Sequence, residues 1–209
     1  PAYLRGSVLR TGVREYSDRD PMNRISWKAT ARTGKLMAFE NEYSARRSLA
    51  VVLNLQSRPF ENGPVLETRR MEDAIRVCAA LFGEAAREGI PLRFLCNGGC
   101  AGAGARETLA TQENWGGRVA HTLLRTLAAL RLESTEDLGV YLSGLEIDAG
   151  EIVLVTCFLS DAVPLFVREK LAQGSRVRVL LLGYVADFPA GAGCSVTEIH
   201  GKWAQEVEE

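Results

Sequence analysis

A glycine-rich run is the first place where the residue types suggest ligand chemistry. Gly98-Gly99-Cys100-Ala101-Gly102-Ala103-Gly104 follows the short apolar segment 92–96, which is typical of a buried strand. Glycines after a strand can cradle a phosphate with backbone N–H groups. However, no Gly-Lys-[Ser/Thr] follows, and no helical pattern begins directly after the glycines, as a dinucleotide site requires. The run therefore predicts a flexible surface loop within the polar segment 97–117.

The thiols and histidines do not combine into a recognisable catalytic or metal-binding pattern. The five cysteines are Cys78, Cys96, Cys100, Cys157 and Cys194. Their odd number and the absence of a Cys-x-x-Cys pair argue against a disulfide framework or a zinc site, and favour a reducing compartment. His121 and His200 lack metal-ligand spacing, and no Cys-His-acid set can be assembled around Cys100. The sequence thus predicts no catalytic residue and no enzyme.

Apolar runs alternate with helical spacing after residue 48. Strands are predicted at 49–55, 92–96, 152–158, 177–182 and, at an edge, 195–203, with a further edge strand suggested at 106–111. Helices are predicted at 71–88, 119–130, 134–145 and 164–172. Alternating strands and helices favour a mostly parallel sheet with helices on both faces. Right-handed crossovers then predict a doubly wound, Rossmann-like α/β sandwich.

Charge is unevenly distributed along the chain. The net charge of −1 predicts neither nucleic-acid nor membrane binding by bulk electrostatics, and no apolar run reaches 18 residues. Residues 1–47 contain ten Lys/Arg and five Asp/Glu, whereas residues 48–209 contain fifteen and twenty-one. We therefore expect two domains, an irregular basic arm over 1–47 and an acidic α/β domain over 48–209. The arm could fold onto that domain or face an anionic partner.

The N-terminal segment carries a series of motifs that resembles a bacterial family. The motifs are Arg14-Glu15-Tyr16, an acidic turn at 18–21, Arg24-Ile25-Ser26-Trp27-Lys28 and Ala31-Arg32. Together with the strand at 49, they resemble the family called domain of unknown function 58, where such motifs precede a von Willebrand factor A-like domain. The resemblance covers about residues 12–57. Its signature residues are Arg14, Tyr16, Asp20, Arg24, Trp27, Lys28 and Arg32.

The resemblance implies a cellular setting that the residues alone do not. Members are similar to membrane-anchored proteins and are often encoded beside MoxR-type AAA ATPases. We therefore expect part of a longer protein at the cytoplasmic face of the cell membrane, anchored through a segment absent from this chain. The expected partner is a protein, such as a MoxR-type ATPase. In the arm, Arg14, Arg24, Lys28 and Arg32 are expected to pair with the acidic domain, with Trp27 as a buried apolar anchor.

The resemblance also implies where a metal would bind. Von Willebrand A domains hold a divalent ion at the carboxyl end of the first strand, through Asp-x-Ser-x-Ser and later Thr and Asp residues. The matching positions here are Asn54-Leu55-Gln56-Ser57-Arg58, in which an amide replaces the Asp and Arg58 adds a fixed cation. Thr156-Cys157 stands where Ser-Asp is expected. We therefore predict a degenerate site without a cofactor; weak candidates for binding Mg²⁺ or Mn²⁺ are Asn54, Ser57 and Asp161.

These observations lead to one functional hypothesis and several alternatives. The hypothesis is a non-catalytic protein-interaction or scaffolding module that binds at the carboxyl end of its sheet, where Arg58 attracts an acidic partner group. The alternatives are a divalent-metal-dependent ligand-binding domain, a nucleotide-binding or thiol enzyme, and a structural domain whose basic arm meets an anionic membrane. The predicted partner-binding residues are Asn54, Gln56, Ser57, Arg58 and Trp115.

Overall fold

The structure is a computed structural model that describes residues 10–16, 25–41, 48–61, 63–101, 107–114, 116–183 and 194–199. The chain divides into two compact units, Pro1–Ala45 and Arg46–Glu209. The boundary expected from the sequence, between residues 47 and 48, lies two residues further along the chain. None of the described helices is both long enough and apolar enough to cross a bilayer.

The described residues of the first unit form two strands and one helix. Strand β1 (Arg10–Glu15) pairs in antiparallel register with β2 (Met37–Asn41), and helix α1 (Trp27–Thr33) lies between them in the chain. The side chain of Ser26 caps the start of α1 by accepting a hydrogen bond from the Ala29 N–H at 3.4 Å. The predicted irregular arm is therefore wrong for the described residues, because the dense charge pattern concealed ordinary helix and strand signals.

The signature residues of the first unit fall into three groups. Arg14 lies in β1, and the backbone N–H of Tyr16 donates to the carbonyl of Leu36. Helix α1 carries Trp27, Lys28 and Arg32, all three exposed; Trp27 leaves 67% of its surface in solvent. The expected burial of Trp27 is therefore wrong. Asp20 and Arg24 lie outside the described residues.

The second unit is built on a six-stranded sheet. Its strands and short pairings are β3 (Leu49–Leu53), β4 (Gly63–Pro64), β5 (Leu92–Cys96), β6 (Leu109–Ala110), β7 (Glu133–Ser134), β8 (Glu151–Thr156), β9 (Arg176–Leu181) and β10 (Cys194–Glu198). The sheet order is β10-β9-β8-β3-β5-β6, and only β6 runs antiparallel to its neighbour. The strands β4 and β7 form a separate antiparallel pair. The mostly parallel sheet is thus confirmed.

Helices cover both faces of this sheet. They are α2 (Thr68–Arg87), α3 (Gly117–Ala128), α4 (Leu138–Ser143) and α5 (Ala162–Ala172); α2 packs with α3, and α4 with α5. The β3 side chains of Ala50 and Val52 join the core under α4 and α5. On the α2 side, the ring of Phe82 meets Phe94 of β5 edge to face, with centroids 5.2 Å apart. The predicted helices and strands are therefore present, with ends shifted by a few residues; beyond residue 199, the edge strand lies outside the described residues.

The connection from β6 back to β8, which lies on the other side of β3, reverses the direction in which strands are added. Numbered along the chain, the six strands have the order 3-2-1-4-5-6, with β3 as strand 1 and β8 as strand 4. In open α/β sheets, such a reversal leaves a crevice beyond the carboxyl ends of the two strands, and ligands bind there. The fold therefore directs attention to the segments that follow β3, β5 and β8.

The start of the glycine run is ordered by close packing. A Cβ atom on Gly98 would lie 2.5 Å from the carbonyl oxygen of Glu133, so the backbone can pass there only without a side chain. The carbonyl of Gly99 accepts a hydrogen bond from the Arg131 N–H at 3.0 Å. The predicted flexible loop is wrong for this part of the run, whereas residues 102–106 lie outside the described residues.

Two glycine substitutions test this interpretation. We expect Gly98→Ala to lower the free energy of unfolding by about 2–4 kcal/mol, because the methyl group overlaps a backbone carbonyl. Gly83→Ala is the matched control: it lies in α2 with nothing within 4 Å of the new Cβ. We expect it to raise that free energy by about 0.5–1 kcal/mol through helix propensity. Urea unfolding measures both, and an unchanged midpoint for Gly98→Ala would refute the close-packing explanation.

Candidate functional site

At the carboxyl ends of three neighbouring strands, three polar residues lie side by side across the sheet. In the parallel register, Leu53 of β3 lies opposite Cys96 of β5 and Val155 of β8. Each of these residues is followed by a polar side chain that is fully buried. The three polar residues are Asn54, Asn97 and Thr156. Register alone therefore brings together groups that lie 43 and 102 residues apart in the chain.

The side-chain amide of Asn54 joins these strand ends. Its Oδ1 accepts from the backbone N–H of Gln56 at 3.1 Å and from Nδ2 of Asn97 at 2.9 Å. Its Nδ2 donates to Oγ1 of Thr156 at 3.1 Å and to the carbonyl of Gln56 at 3.4 Å. Both acceptor positions and both donor hydrogens are therefore used, as burial requires. We call Asn54, Asn97 and Thr156 the amide bridge.

Gln56 links the amide bridge to two other segments. It is completely buried, and its Oε1 accepts from the backbone N–H of Leu138, the first residue of α4, at 2.7 Å. Its Nε2 donates to the carbonyl of Glu61 at 2.7 Å and to Oδ2 of Asp137 at 3.3 Å. One side chain thus fixes both the start of α4 and the loop that follows β3.

A buried carboxylate closes that loop, residues 57–66, which we call the Glu61 loop. The Glu61 carboxylate accepts from the backbone N–H and the hydroxyl of Ser57, the latter at 2.9 Å, and from the backbone N–H of Leu66 at 2.6 Å. The hydroxyl of Ser57 in turn accepts from the Glu67 N–H at 3.1 Å. Three donors on one carboxylate offset much of the cost of its burial, so the base of the loop is held firmly.

The tip of the Glu61 loop carries an exposed aromatic ring. Phe60 leaves 90% of its surface in solvent and has φ +62°. It is the one non-glycine residue with positive φ in the part of the chain that the structure describes. For a bulky side chain, this conformation costs about 1–2 kcal/mol. The exposed position of the ring therefore requires a strained backbone. The hydrogen bonds at the base of the loop hold the backbone in this conformation.

Arg58 points away from the amide bridge. Its Nε donates to Oε1 of Glu67 at 2.6 Å, and Glu67 also binds Nη2 of Arg70 at 2.8 Å. The hydrogen bond to Glu67 raises the pKa of the Arg58 guanidinium above its usual value. The side chain is 62% exposed, and the described residues place no hydrogen bond between it and Asn54. Its charge therefore lies at the surface beside α2.

The residues at this edge do not fit a divalent cation. The oxygen of Asn54 already accepts two N–H groups, and the hydroxyl of Ser57 is committed to Glu61 and Glu67. Asp161 is exposed at the start of α5 and forms no side-chain cap. A metal ion would have to displace several of these hydrogen bonds. Among the described residues, no group of three or more His, Cys, Asp or Glu is arranged to hold a metal.

The pKa values of the thiols are raised, whereas an activated cysteine nucleophile has a lowered pKa. Burial raises the pKa of Cys96 and of Cys157 to about 12, so both are protonated at neutral pH. Burial also raises the pKa of Cys100, the thiol in the glycine run. A reactive cysteine has a lowered pKa, usually beside a cation or a helix N-terminus. The described environment of these three residues therefore gives no support to thiol catalysis.

The predicted partner-binding residues differ in how far they are buried. Asn54, Gln56 and Ser57 lie beneath the surface, and Arg58 lies on it. Trp115 lies outside the described residues. The sequence interpretation overlooked Asn97, Phe60 and Glu61. Asn97 had a detectable signal, because it follows its strand as Asn54 does, whereas the burial of Glu61 and the strain at Phe60 depend on the folded loop.

A pair of glutamine substitutions tests the network. Gln56→Ala should lower the free energy of unfolding by about 2–4 kcal/mol, because it leaves the buried Leu138 N–H without its acceptor and the Glu61 carbonyl with the Ser134 hydroxyl as its remaining donor. Gln173→Ala removes an exposed amide that bonds Glu169 within one helical turn, and should change stability by less than about 0.5 kcal/mol. Equal effects of the two substitutions in guanidinium unfolding would show that the network is not what stabilises this edge.

Thiol labelling tests the burial of the cysteines. With a small maleimide at neutral pH, we expect Cys100 and Cys194, both partly exposed, to react before the buried thiols. Between pH 7 and pH 9, labelling of Cys96 and Cys157 should stay slow, since both pKa values lie near 12. The unfolded chain ionises more readily, so stability should fall as the pH rises above the ordinary thiol pKa of about 8.5. Mass spectrometry identifies the sites; early labelling of Cys157 would contradict the structure.

Comparison with known protein families and curated proteins identifies no relative of this chain. The chain matches no protein-family model, and no curated protein is significantly similar to it. The resemblance of residues 12–57 to the family called domain of unknown function 58 therefore stays a prediction that rests on the motifs themselves. What the described residues establish is an α/β unit in which side chains at the carboxyl edge of the parallel sheet bond to one another and the loop after β3 carries an exposed aromatic residue at positive φ.

Proposed function

We propose that residues 46–209 form a non-catalytic protein-interaction module. In this proposal, the partner contacts the carboxyl edge of the parallel sheet through the tip of the Glu61 loop. The observation that carries it is Phe60, a 90% exposed ring held at positive φ by a loop whose base is buried and hydrogen bonded. The buried amide bridge is not itself a contact surface.

The strain at Phe60 is the reason to assign a function to this loop. Glycine or asparagine would adopt the same backbone at little cost, and either would avoid exposing an aromatic ring to water. A loop optimised for folding alone would therefore not keep phenylalanine there. Strained residues of this kind cluster at sites of function, where a ligand or partner uses the strained group.

The buried residues have a supporting role in this proposal. Gln56, Ser57 and Glu61 fix the loop before a partner arrives, so little conformational freedom is lost on binding. Asn54 holds the base of the loop to the neighbouring strands. Of the residues that the sequence singled out, Arg58 is the one placed to touch a partner directly, and Trp115 stays a prediction.

The sequence resemblance supports a partner class and a location. It favours a MoxR-type AAA ATPase as the partner. It also favours a longer protein that holds this chain at the cytoplasmic face of the cell membrane. Both are proposals, and the first provides a defined protein for a binding experiment.

Binding to a purified MoxR-type ATPase from the same source tests the proposal. We expect the full chain to bind it and Phe60→Asn to weaken binding at least tenfold. Asparagine tolerates positive φ, so this variant should unfold at the same or a higher denaturant concentration. Leu124→Asn, which removes a 42% exposed apolar side chain from α3, is the control and should bind normally.

A second measurement separates a wrong partner from a wrong surface. A photoreactive phenylalanine analogue at position 60 should crosslink to a protein in the source cell more strongly than the same analogue at position 124. If the ATPase does not bind but the crosslink at 60 forms, the partner class is wrong. Equal crosslinking at both positions would remove the basis for the interaction surface.

A further inference from the structure

We infer that Arg58 and Phe60 form a two-point anchor for a protein partner that carries a carboxylate beside an apolar pocket. The inference rests on the proposed function and specifies the chemistry of the partner. Phe60 would insert into the pocket, and the outer edge of the Arg58 guanidinium would bind the carboxylate. We call this pair the Arg58–Phe60 anchor.

The Arg58 guanidinium is held in place but is not saturated. Its Nε is bound to Glu67, which is itself fixed by Arg70. Its terminal nitrogens Nη1 and Nη2 donate no hydrogen bond to any described residue, and the side chain is 62% exposed. Arginine can bind a second carboxylate through these outer N–H groups, and its planar fork favours a carboxylate over other acceptors.

The charges around the anchor complement an acidic partner. Arg58 and Arg69 are exposed beside the loop, the Glu61 carboxylate is buried by its hydrogen bonds to Ser57 and Leu66, and Glu67 is shared between Arg58 and Arg70, so the arginines outnumber the carboxylates here. This basic spot stands out because residues 48–209 contain twenty-one Asp/Glu against fifteen Lys/Arg. An acidic group would thus be attracted here and repelled by much of the remaining surface.

Phe60 supplies the apolar half of the anchor. Only Pro59 separates it from Arg58, and the fixed φ of proline limits how far the two side chains move independently. Residues two apart lie within about 7 Å along the backbone, so the pocket and the carboxylate must be neighbours on the partner. Aromatic residues and arginine are the types most enriched among residues that dominate binding energy.

A protein surface fits this geometry better than a lipid surface. Membrane-binding segments usually spread several apolar and basic side chains over a broad face. Here one ring is fixed by a strained backbone, and one guanidinium is fixed by an ion pair. Such preorganisation is useful against a partner of matching shape and has little value against a fluid bilayer.

The test uses a random library of 16-residue peptides closed by a disulfide and displayed on phage, because a cyclic peptide can form a small apolar cleft beside an acidic residue; the library is selected on the full chain. We expect enrichment of peptides that combine Asp or Glu with large apolar residues. For a synthetic peptide from that set, fluorescence anisotropy should show at least tenfold weaker binding to Phe60→Asn and at least fivefold weaker binding to Arg58→Glu. Replacing the acidic residue of the peptide with Lys should restore binding to Arg58→Glu.

The matched control is Arg87→Glu at the other end of α2. Arg87 is also exposed and also paired with a glutamate, Glu84, but it lies about 30 Å away along the helix. This variant should bind the peptide normally. An equal loss of affinity for Arg87→Glu and Arg58→Glu would show that only overall charge matters, which would overturn the anchor.

The remaining outcomes distinguish this inference from the broader proposal. No enrichment, enrichment without acidic residues, or binding that is unaffected by Phe60→Asn overturns the anchor, while a crosslink at position 60 would keep the interaction surface. Sedimentation with phosphatidylcholine vesicles containing phosphatidylserine provides the last comparison. If vesicles bind in a manner that depends on Phe60 and peptides do not, the surface recognises membranes and the inference is wrong.

Discussion

The side-chain amide of Asn54 connects the ends of three strands, and the hydrogen bonding at the carboxyl edge of the sheet depends on it. It is buried directly after the end of β3, which lies between β5 and β8 in the sheet. Asn97 and Thr156 reach it from the two neighbouring strands. A neutral amide suits this position because it donates and accepts at once, whereas a carboxylate could only accept. Its environment offers two donors and two acceptors, which match the amide in full.

This choice of residue has consequences for the chemistry of the edge. A carboxylate at the same position would have no hydrogen to donate to Thr156 and Gln56, and its buried charge would require a cation to balance it. With an amide there, the oxygen atoms that could bind a metal are occupied by N–H groups. The polar side chains that follow β3, β5 and β8 therefore bond to one another rather than remaining open to a ligand. The exposed groups near this edge are on the loop after β3, chiefly Arg58 and Phe60, and these are the groups that the proposal assigns to a partner.

The Glu61 loop and the amide bridge belong to one hydrogen-bond network. Gln56 bonds both the carbonyl of Glu61 and the first N–H of α4. Glu61 then ties Ser57 to Leu66 and closes the loop. Because Gln56 and Glu61 each bond to more than one segment, the removal of either side chain leaves buried groups such as the Leu138 N–H without a partner. Such coupling explains how a surface phenylalanine can be kept in a strained conformation.

The sequence by itself determined the sheet and its helices, because continuous apolar runs such as 49–53 and helical spacing such as 71–87 are local patterns. It also predicted a binding edge at the polar segment that follows β3, and that stays a prediction. It did not determine that Asn54 would meet Asn97 and Thr156, since that contact follows from strand register across 43 and 102 residues. Nor did it reveal the buried Glu61 or the positive φ of Phe60. These depend on side chains and backbone that acquire their environment only when the strands, the loop and α4 pack together.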